Sequence, residues 1–185
     1  AGAIYYQDSQ HVTDIYGYRD RVNHSVTVDF EQETTSIAAY AHTDTQLTDR
    51  LSLIVGMRFT DDEVSFDGGT TVTDKDDDFT GDITFFSVDE PITVENEKLT
   101  SQEWTGKLGL NYDISDDMMI YGSYSQGYKA GVWNGFWAVT EGDHSSTDPE
   151  YIDAYEVGIK SMMLDSTLQV NAALFLYEYT DMQLF

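Results

Sequence analysis

The sequence contains no cysteine, only two prolines, and no apolar run of the roughly 20 residues that a membrane-spanning helix needs. Without cysteine, neither a disulfide framework nor a thiolate metal site can form. The scarcity of proline and the presence of 13 tyrosines favour long β-strands, which tolerate proline poorly and are enriched in aromatic side chains. A membrane β-barrel stays compatible with this composition, because only every second residue of its strands meets lipid.

Basic residues are also scarce. There are nine Lys and Arg against 34 Asp and Glu, which gives a formal net charge of −25. Such a chain repels phosphate backbones, so we exclude a nucleic-acid partner. A salt-adapted acidic surface and a surface that attracts cations explain the charge equally well.

Polar and apolar residues alternate with period two in segments 51–60, 104–114, 151–160 and 168–177. This period predicts β-strands with one apolar and one polar or small-residue face. In a membrane barrel the apolar face meets lipid, with aromatic residues near both interfaces. The side chains expected in the apolar band are Leu51, Leu53, Val55, Leu108, Leu110, Val157, Val170, Ala172 and Leu174.

Short and long connections alternate between the predicted strands. About seven strands are expected, near 1–9, 33–47, 50–66, 99–114, 118–130, 150–164 and 167–185. Tight turns fall at Thr48–Asp49, Ser115–Asp117 and Asp165–Thr167, and long polar loops near 10–32, 67–98 and 131–149. Short periplasmic turns and long outer loops are typical of membrane barrels, whereas a β-sandwich alternates less regularly. We therefore predict an all-β, antiparallel, up-and-down transmembrane β-barrel.

The strand count indicates an incomplete barrel. Bacterial single-chain barrels have an even number of strands, and about seven strands enclose no ligand-sized lumen. The final strand also leaves a short turn at Asp165–Thr167 and so runs toward the outer side. We expect a larger barrel of which these strands are a part.

Four segments resemble the barrel region of TonB-dependent outer-membrane receptors. They are LTDRLSLIVGMRFTDDE (47–63), YGSYSQGYKAG (121–131), PEYIDAYEVGIKS (149–161) and LQVNAALFLYEYTDMQL (168–184). The last three are specific when they occur in this order. The resemblance implies a barrel of about 22 strands with a plugged lumen. Residues 1–185 are then part of the barrel domain, and the plug domain and the remaining strands lie outside this chain.

This resemblance implies TonB-dependent import of a scarce nutrient across the bacterial outer membrane, with a ferric siderophore as the default substrate. The implied partners are TonB through the missing plug, outer-membrane lipid and a small metal chelate. No cofactor is expected. The alternatives are a passive porin-like barrel, a soluble acidic β-sandwich that binds calcium or sugar, and an outer-membrane hydrolase.

Two sets of residues are candidates for binding. Four charged side chains occupy the polar positions of the alternating strands. They would face the lumen, because an Arg or Lys that faced lipid at the bilayer midplane would cost roughly 2–4 kcal/mol. They would line a substrate path or contact the plug: Arg58, Lys107, Glu156 and Lys160. An outer loop carries residues that would stack on a planar chelate or a sugar, or would pack the loop on its neighbours: Trp133, Asn134, Phe136, Trp137 and His144.

Neither a metal site nor a catalytic site is expected. Asp74, Asp76 and Asp78 imitate the start of a calcium loop, but Phe79 and Phe85 occupy the positions that require Gly and Glu. The four histidines, at positions 11, 24, 42 and 144, lack a metal-ligand spacing. No nucleophile elbow is present, so we predict that the protein is not an enzyme.

Overall fold

The computed structural model describes residues 1–18, 24–74, 92–134, 145–164 and 167–183. Within these ranges the chain forms no helix that is long and apolar enough to cross a membrane. The strands are β1 (Gly2–Tyr18), β2 (His24–Thr48), β3 (Leu51–Asp74), β4 (Ile92–Ser115), β5 (Met118–Lys129), β6 (Trp133–Asn134), β7 (Ser145–Ser146), β8 (Glu150–Met163) and β9 (Leu168–Thr180).

Seven of these strands form one open antiparallel sheet. Its order is β1-β2-β3-β4-β5-β8-β9, so every long strand lies beside its neighbours in sequence, while β6 and β7 pair with each other. Strands β1 and β9 each have one unpaired edge in this sheet. The predicted seven-stranded antiparallel meander, present as a partial barrel, is confirmed.

The strand lengths correct the prediction. The loops expected near 10–32 and 67–98 are β-strand over 10–18, 24–32, 67–74 and 92–98. The β2 extension does alternate, and there Val28 is fully buried and Phe30 stacks on Phe66. The other extensions carry a mixture of side chains on both faces, so they lack the alternation that marks a half-buried strand. They are held instead by backbone pairing, as at His11↔Glu31, and by cross-strand pairs such as Lys98–Glu63 at 2.6 Å.

The strand register places the apolar residues of the alternating segments on one face of the sheet. Leu53 pairs with Leu110, and Val55 pairs with Leu108, which in turn pairs with Tyr124. Residues that pair directly share a face of the sheet. We call this surface the apolar face; it comprises Leu51, Leu53, Val55, Met57, Phe59, Trp104, Leu108, Leu110, Tyr112, Ile120, Tyr124, Tyr155, Val157, Ile159, Ala172, Leu174 and Leu176.

The apolar face is uncovered. Val157 is 57% exposed and Leu174 is 76% exposed. Among the described residues, the long strands contact mainly their hydrogen-bonded neighbours, and no second sheet layer covers this face. A contiguous apolar surface of this size is unfavourable in water. The arrangement therefore differs from that of a soluble β-sandwich, whose apolar faces pack against each other.

Aromatic pairs mark one end of the apolar face. The rings of Phe59 and Trp104 lie 5.0 Å apart, and those of Tyr124 and Tyr155 lie 5.1 Å apart. Beyond them the same face turns polar, beginning with the pair Asp61↔Gln102. From Leu51 to Phe59 the strand rises about 27 Å, or roughly 20 Å along the axis of a tilted barrel. That height is close to the ~25 Å apolar band of outer-membrane barrels.

The other surface, the polar face, holds Arg58, Thr60 and Asp62 on β3 and their neighbours across the sheet. Glycine at position 158 makes room for an aromatic ring on this face. A Cβ added at Gly158 would lie 2.6 Å from the ring of Tyr121, which pairs with Gly158. The Tyr121 hydroxyl donates to Glu156 at 2.5 Å, and the Lys160 ammonium lies 5.4 Å from the ring centroid. The absent side chain thus leaves room for a ring that links two charged residues.

We predict that Gly158→Ala destabilises the sheet by about 1–3 kcal/mol, because the new methyl group displaces the Tyr121 ring. Gly122→Ala is the matched control, since its Cβ meets Val157 at an ordinary 3.7 Å. Equilibrium urea unfolding of the intact protein in detergent measures both variants. Equal stabilities would show that the ring does not depend on Gly158.

Candidate functional site

The end of the β5–β8 hairpin leaves the sheet and crosses the polar face. Pairing between β4 and β5 stops at Lys107↔Ser125, whereas β5 and β8 remain paired as far as Lys129↔Glu150. Beyond Ser125 the hairpin is therefore no longer held beside β4. We call residues 126–134 and 145–151 the folded-in segment.

Two tyrosines fasten the folded-in segment to the wall of the sheet. The Tyr128 hydroxyl donates to the Asp62 carboxylate, and the Tyr151 hydroxyl donates to Glu103 at 2.5 Å. Asp62 and Glu103 lie on the polar face, on β3 and β4, and Asp62 is only 9% exposed. Strict alternation would put Tyr128 on the apolar face with Tyr124. Its bond to Asp62 lies on the polar face, so the bend of the hairpin, and not alternation, sets the direction of the Tyr128 side chain.

These hydrogen bonds keep both tyrosines protonated. Burial, and then the hydrogen bond to Asp62, raise the pKa of Tyr128 above its usual range. The hydrogen bond to Glu103 raises the pKa of Tyr151 to about 12. Because the neutral phenol is the bonded form, the Tyr151 contact is complete below about pH 10 and is lost as the pH rises through about 12. Tyrosine ionisation therefore leaves it intact at neutral pH.

An aromatic stack extends the attachment. The ring of Phe66 lies 5.3 Å from Phe30 and 5.8 Å from Trp133, and Phe66 is fully buried. Trp133 thus packs on the wall of the sheet, and its indole Nε1 is buried with no hydrogen-bond partner among the described residues. Asn134 pairs with Ser145 in the small β6–β7 ladder. The other three predicted loop residues, Phe136, Trp137 and His144, lie outside the described residues, as does most of the imitation calcium loop.

Gln183, which follows β9, contacts the base of the folded-in segment. The Gln183 side-chain amide donates to the carbonyl oxygens of Ala130 and Asp148, both at 3.0 Å. The Gln183 backbone N–H donates to Glu150 at 2.9 Å. Contacts from β3, from β4 and from Gln183 therefore hold the segment in place.

A polar cavity of about 280 Å³ lies between the folded-in segment and the wall. We call it the Arg58 pocket. The wall contributes Ser36, Arg58, Thr60, Asp62 and Thr105, and the segment contributes Gly127, Tyr128 and Ala130. Arg58 donates from Nε to the Thr60 hydroxyl at 2.9 Å. Sequence alternation predicted the direction of Arg58 but not the pocket, because the residues that close it belong to a segment that leaves its strand pairing.

The structure places the four charged candidates on the polar face in two groups. Lys107 lies opposite Gly56 and is a diagonal neighbour of Arg58, whereas Glu156 and Lys160 lie on β8 with Tyr121. They do not form a single cluster. Among the described residues, no group of three His, Asp or Glu side chains is arranged to hold a metal ion.

A larger concavity than the Arg58 pocket lies on the apolar face. It measures about 800 Å³ and is lined mainly by side chains such as Leu110, Ile120 and Val157. It forms around Gly122, which pairs with Leu110 and Val157 but contributes no side chain. Its position on the apolar face fits hydrocarbon rather than a polar ligand.

Comparison with known proteins agrees with this architecture. A family model for TonB dependent receptor-like β-barrels matches residues 1–185. The ferric yersiniabactin uptake receptor FyuA from Yersinia pestis aligns with a TM-score of 0.79 at 22% identity, over 98% of this chain and 26% of that chain. The closed form of the ferric-catecholate import receptor Fiu from E. coli K12 aligns at 0.55 and 16% identity, over 96% and 31%.

The alcaligin outer-membrane receptor FauA from Bordetella pertussis aligns at 0.51 and 18% identity, over 96% of this chain and 28% of that chain. At such identities the likeness to these solved structures concerns the fold. The chain spans less than a third of the length of each of these receptors.

We predict that Tyr128→Phe releases the folded-in segment. The change leaves the buried Asp62 carboxylate without its donor, which costs roughly 1–3 kcal/mol, while the sheet stays folded. Limited proteolysis should then cut within 126–151 faster than in the unchanged protein. Tyr124→Phe is the control, because the Tyr124 hydroxyl bonds to Asp153 inside the same hairpin and does not reach the wall. Equal cleavage of both variants and the unchanged protein would contradict the attachment.

Proposed function

Because the chain belongs to the TonB-dependent receptor-like β-barrel family of the bacterial outer membrane, we propose that it forms part of the wall of a receptor that actively imports a scarce nutrient. The observation that carries this proposal is the division of one sheet into two faces. One face is apolar, uncovered and bordered by aromatic pairs. The other bears the charged residues and a folded-in polar segment. TonB-dependent receptors are transporters, so no catalytic role is proposed.

The unpaired edges support a larger barrel. In hydrocarbon, each backbone group without a partner costs several kcal/mol, so membrane sheets close on themselves. Strands β1 and β9 each pair on one side only. We therefore propose that both edges pair with further strands of the barrel.

A plug domain would fill the lumen that the polar face borders and would connect the receptor to TonB. Arg58, Lys107, Glu156 and Lys160 are then contacts between the wall and the plug or parts of the substrate path. Their placement on the polar face supports both roles, since neither requires a charge in lipid.

We propose a ferric siderophore as the substrate. Two of the structures that the chain resembles are named for ferric chelates, the ferric yersiniabactin receptor and the ferric-catecholate receptor. In this chain the candidate contacts begin at Trp133 and Asn134, which lie over the polar face, and continue through Phe136, Trp137 and His144. Aromatic rings at the mouth of a lumen suit planar metal chelates.

Uptake of radioactive ferric siderophores into iron-starved cells tests the proposal. Disruption of the receptor gene should abolish uptake of one siderophore class, and the intact gene should restore it only in cells that have TonB. Restored uptake that is equally fast without TonB would instead indicate a passive porin.

Siderophore binding by receptor variants tests the role of the loop that begins at Trp133. We predict that Trp133→Ala weakens siderophore binding by about 1–3 kcal/mol, which corresponds to roughly five- to 150-fold in Kd, a range typical of lost aromatic contacts. Trp104→Ala is the matched control, because Trp104 lies on the apolar face and is 62% exposed. Binding should be normalised to the amount of folded receptor. Equal affinities of the two variants would contradict a ligand role for Trp133 and its segment.

A further inference from the structure

Arg58 is a cation that has no acidic partner among the described residues, although the chain is strongly acidic. Carboxylates outnumber Lys and Arg by 34 to nine, yet this half-buried guanidinium forms no ion pair with any described residue. Its Nε–H donates to Thr60, and a guanidinium has four further N–H donors. By contrast, the exposed Lys98 has a carboxylate partner, Glu63, at 2.6 Å. A partly desolvated cation without a counter-ion is costly, so its position calls for an anion.

The surroundings of Arg58 are suited to such an anion. The wall of the Arg58 pocket carries three hydroxyls, from Ser36 on β2, Thr60 on β3 and Thr105 on β4. Each hydroxyl has one proton to donate. Thr60 accepts the bond from Arg58 and also bonds to the Tyr128 hydroxyl, so the hydroxyls of Ser36 and Thr105 are the donors offered to an anion. A cavity of about 280 Å³ holds roughly nine water molecules, enough for a small planar group and part of its carrier.

The carboxylate inside the pocket does not neutralise Arg58. Asp62 lies four residues along β3, with Thr60 between them, and it accepts the hydrogen bond of Tyr128. The pocket consequently has a cationic end at Arg58 and an anionic end at Asp62. The anionic end disfavours a doubly charged phosphate, whereas the planar fork of a guanidinium matches a singly charged carboxylate with two parallel hydrogen bonds.

We propose that the Arg58 pocket is a carboxylate-binding site, formed when the folded-in segment closes over β3. The existence of the site does not depend on the proposed function, but the identity of the molecule that supplies the carboxylate does. The source is an anionic chelate that enters the lumen or an acidic side chain of the plug. In both cases the same guanidinium receives the group.

Labelling of arginines with phenylglyoxal in the intact, detergent-purified receptor, with mass spectrometry of the peptides, tests the site directly. Acetate is the probe, inorganic phosphate at equal ionic strength is the comparison anion, and Arg50 in the β2–β3 turn is the internal control. If the pocket is open to small carboxylates, acetate at about ten times its Kd should slow the labelling of Arg58 about tenfold. Acetate should leave the labelling of Arg50 unchanged, and phosphate should protect Arg58 less than acetate does.

Thermal unfolding of variants tests whether an acidic side chain of the plug supplies the carboxylate. If a plug side chain already occupies the site, Arg58→Gln should lower the unfolding temperature of the intact receptor in acetate-free buffer. Arg58→Lys should lower it less, and Arg50→Gln in the exposed β2–β3 turn should leave it unchanged. The proposal is overturned if acetate gives no protection and Arg58→Gln unfolds like the unchanged protein, or if phosphate protects better than acetate. Neither assay involves transport, so failure here is separable from failure of TonB-dependent uptake.

Discussion

The structure depends on continuous backbone pairing between antiparallel neighbours. In a membrane no water satisfies a free N–H or C=O group, so each strand must be bonded on both sides. Here five of the seven long strands satisfy that condition within the sheet, and β1 and β9 satisfy it on one side. Backbone hydrogen bonds between the strands fix the register, and successive side chains then point to opposite faces of the sheet. One face can therefore meet hydrocarbon even though every second residue of the strand is polar. The register thus explains both the uncovered apolar face and the location of Arg58, Lys107, Glu156 and Lys160.

The polar face is more than the reverse side of a membrane wall. Where β5 leaves β4, the chain folds across this face and is held by Tyr128, Tyr151 and Trp133. Each contact joins the segment to a different place, Asp62 and Phe66 on β3 or Glu103 on β4. A segment tied at several points closes a small polar pocket around Arg58. The pocket therefore arises where β4–β5 pairing ends, at Ser125.

Sequence reasoning predicted the parts of the fold that rest on alternation. It placed the strand order and the tight turns near 48–49 and 115–117, while the third predicted turn, at 165–167, lies mostly outside the described residues. It assigned Leu53, Val55 and Leu108 to one face and Arg58 to the other, because lipid imposes a period of two. It missed the upper halves of the hairpins, such as 10–18, where the apolar residues Val12 and Ile15 fall on opposite faces and give no such period. It overlooked 26–31, although Val28 and Phe30 alternate with polar residues there. It also missed the direction of Tyr128, because a bend can reverse the side that alternation predicts. The structure shows the departure of the β5 hairpin from its neighbour in the lengths of β4 and β5, 24 against 12 residues, whereas alternation predicted strands of similar length at 99–114 and 118–130.

The central claim is that odd positions of β3 face lipid while even positions face a filled lumen. The absence of cysteine allows a single-cysteine scan of residues 51–60, in which each nitroxide-labelled receptor is placed in lipid bilayers. Collision rates with oxygen, which concentrates in hydrocarbon, are then compared with those of a water-soluble nickel complex. We expect a period of two, with high oxygen accessibility at Leu51, Leu53, Val55, Met57 and Phe59 and low oxygen accessibility between them. Oxygen accessibility without this period, or odd positions that are shielded as in a packed soluble core, would contradict the account.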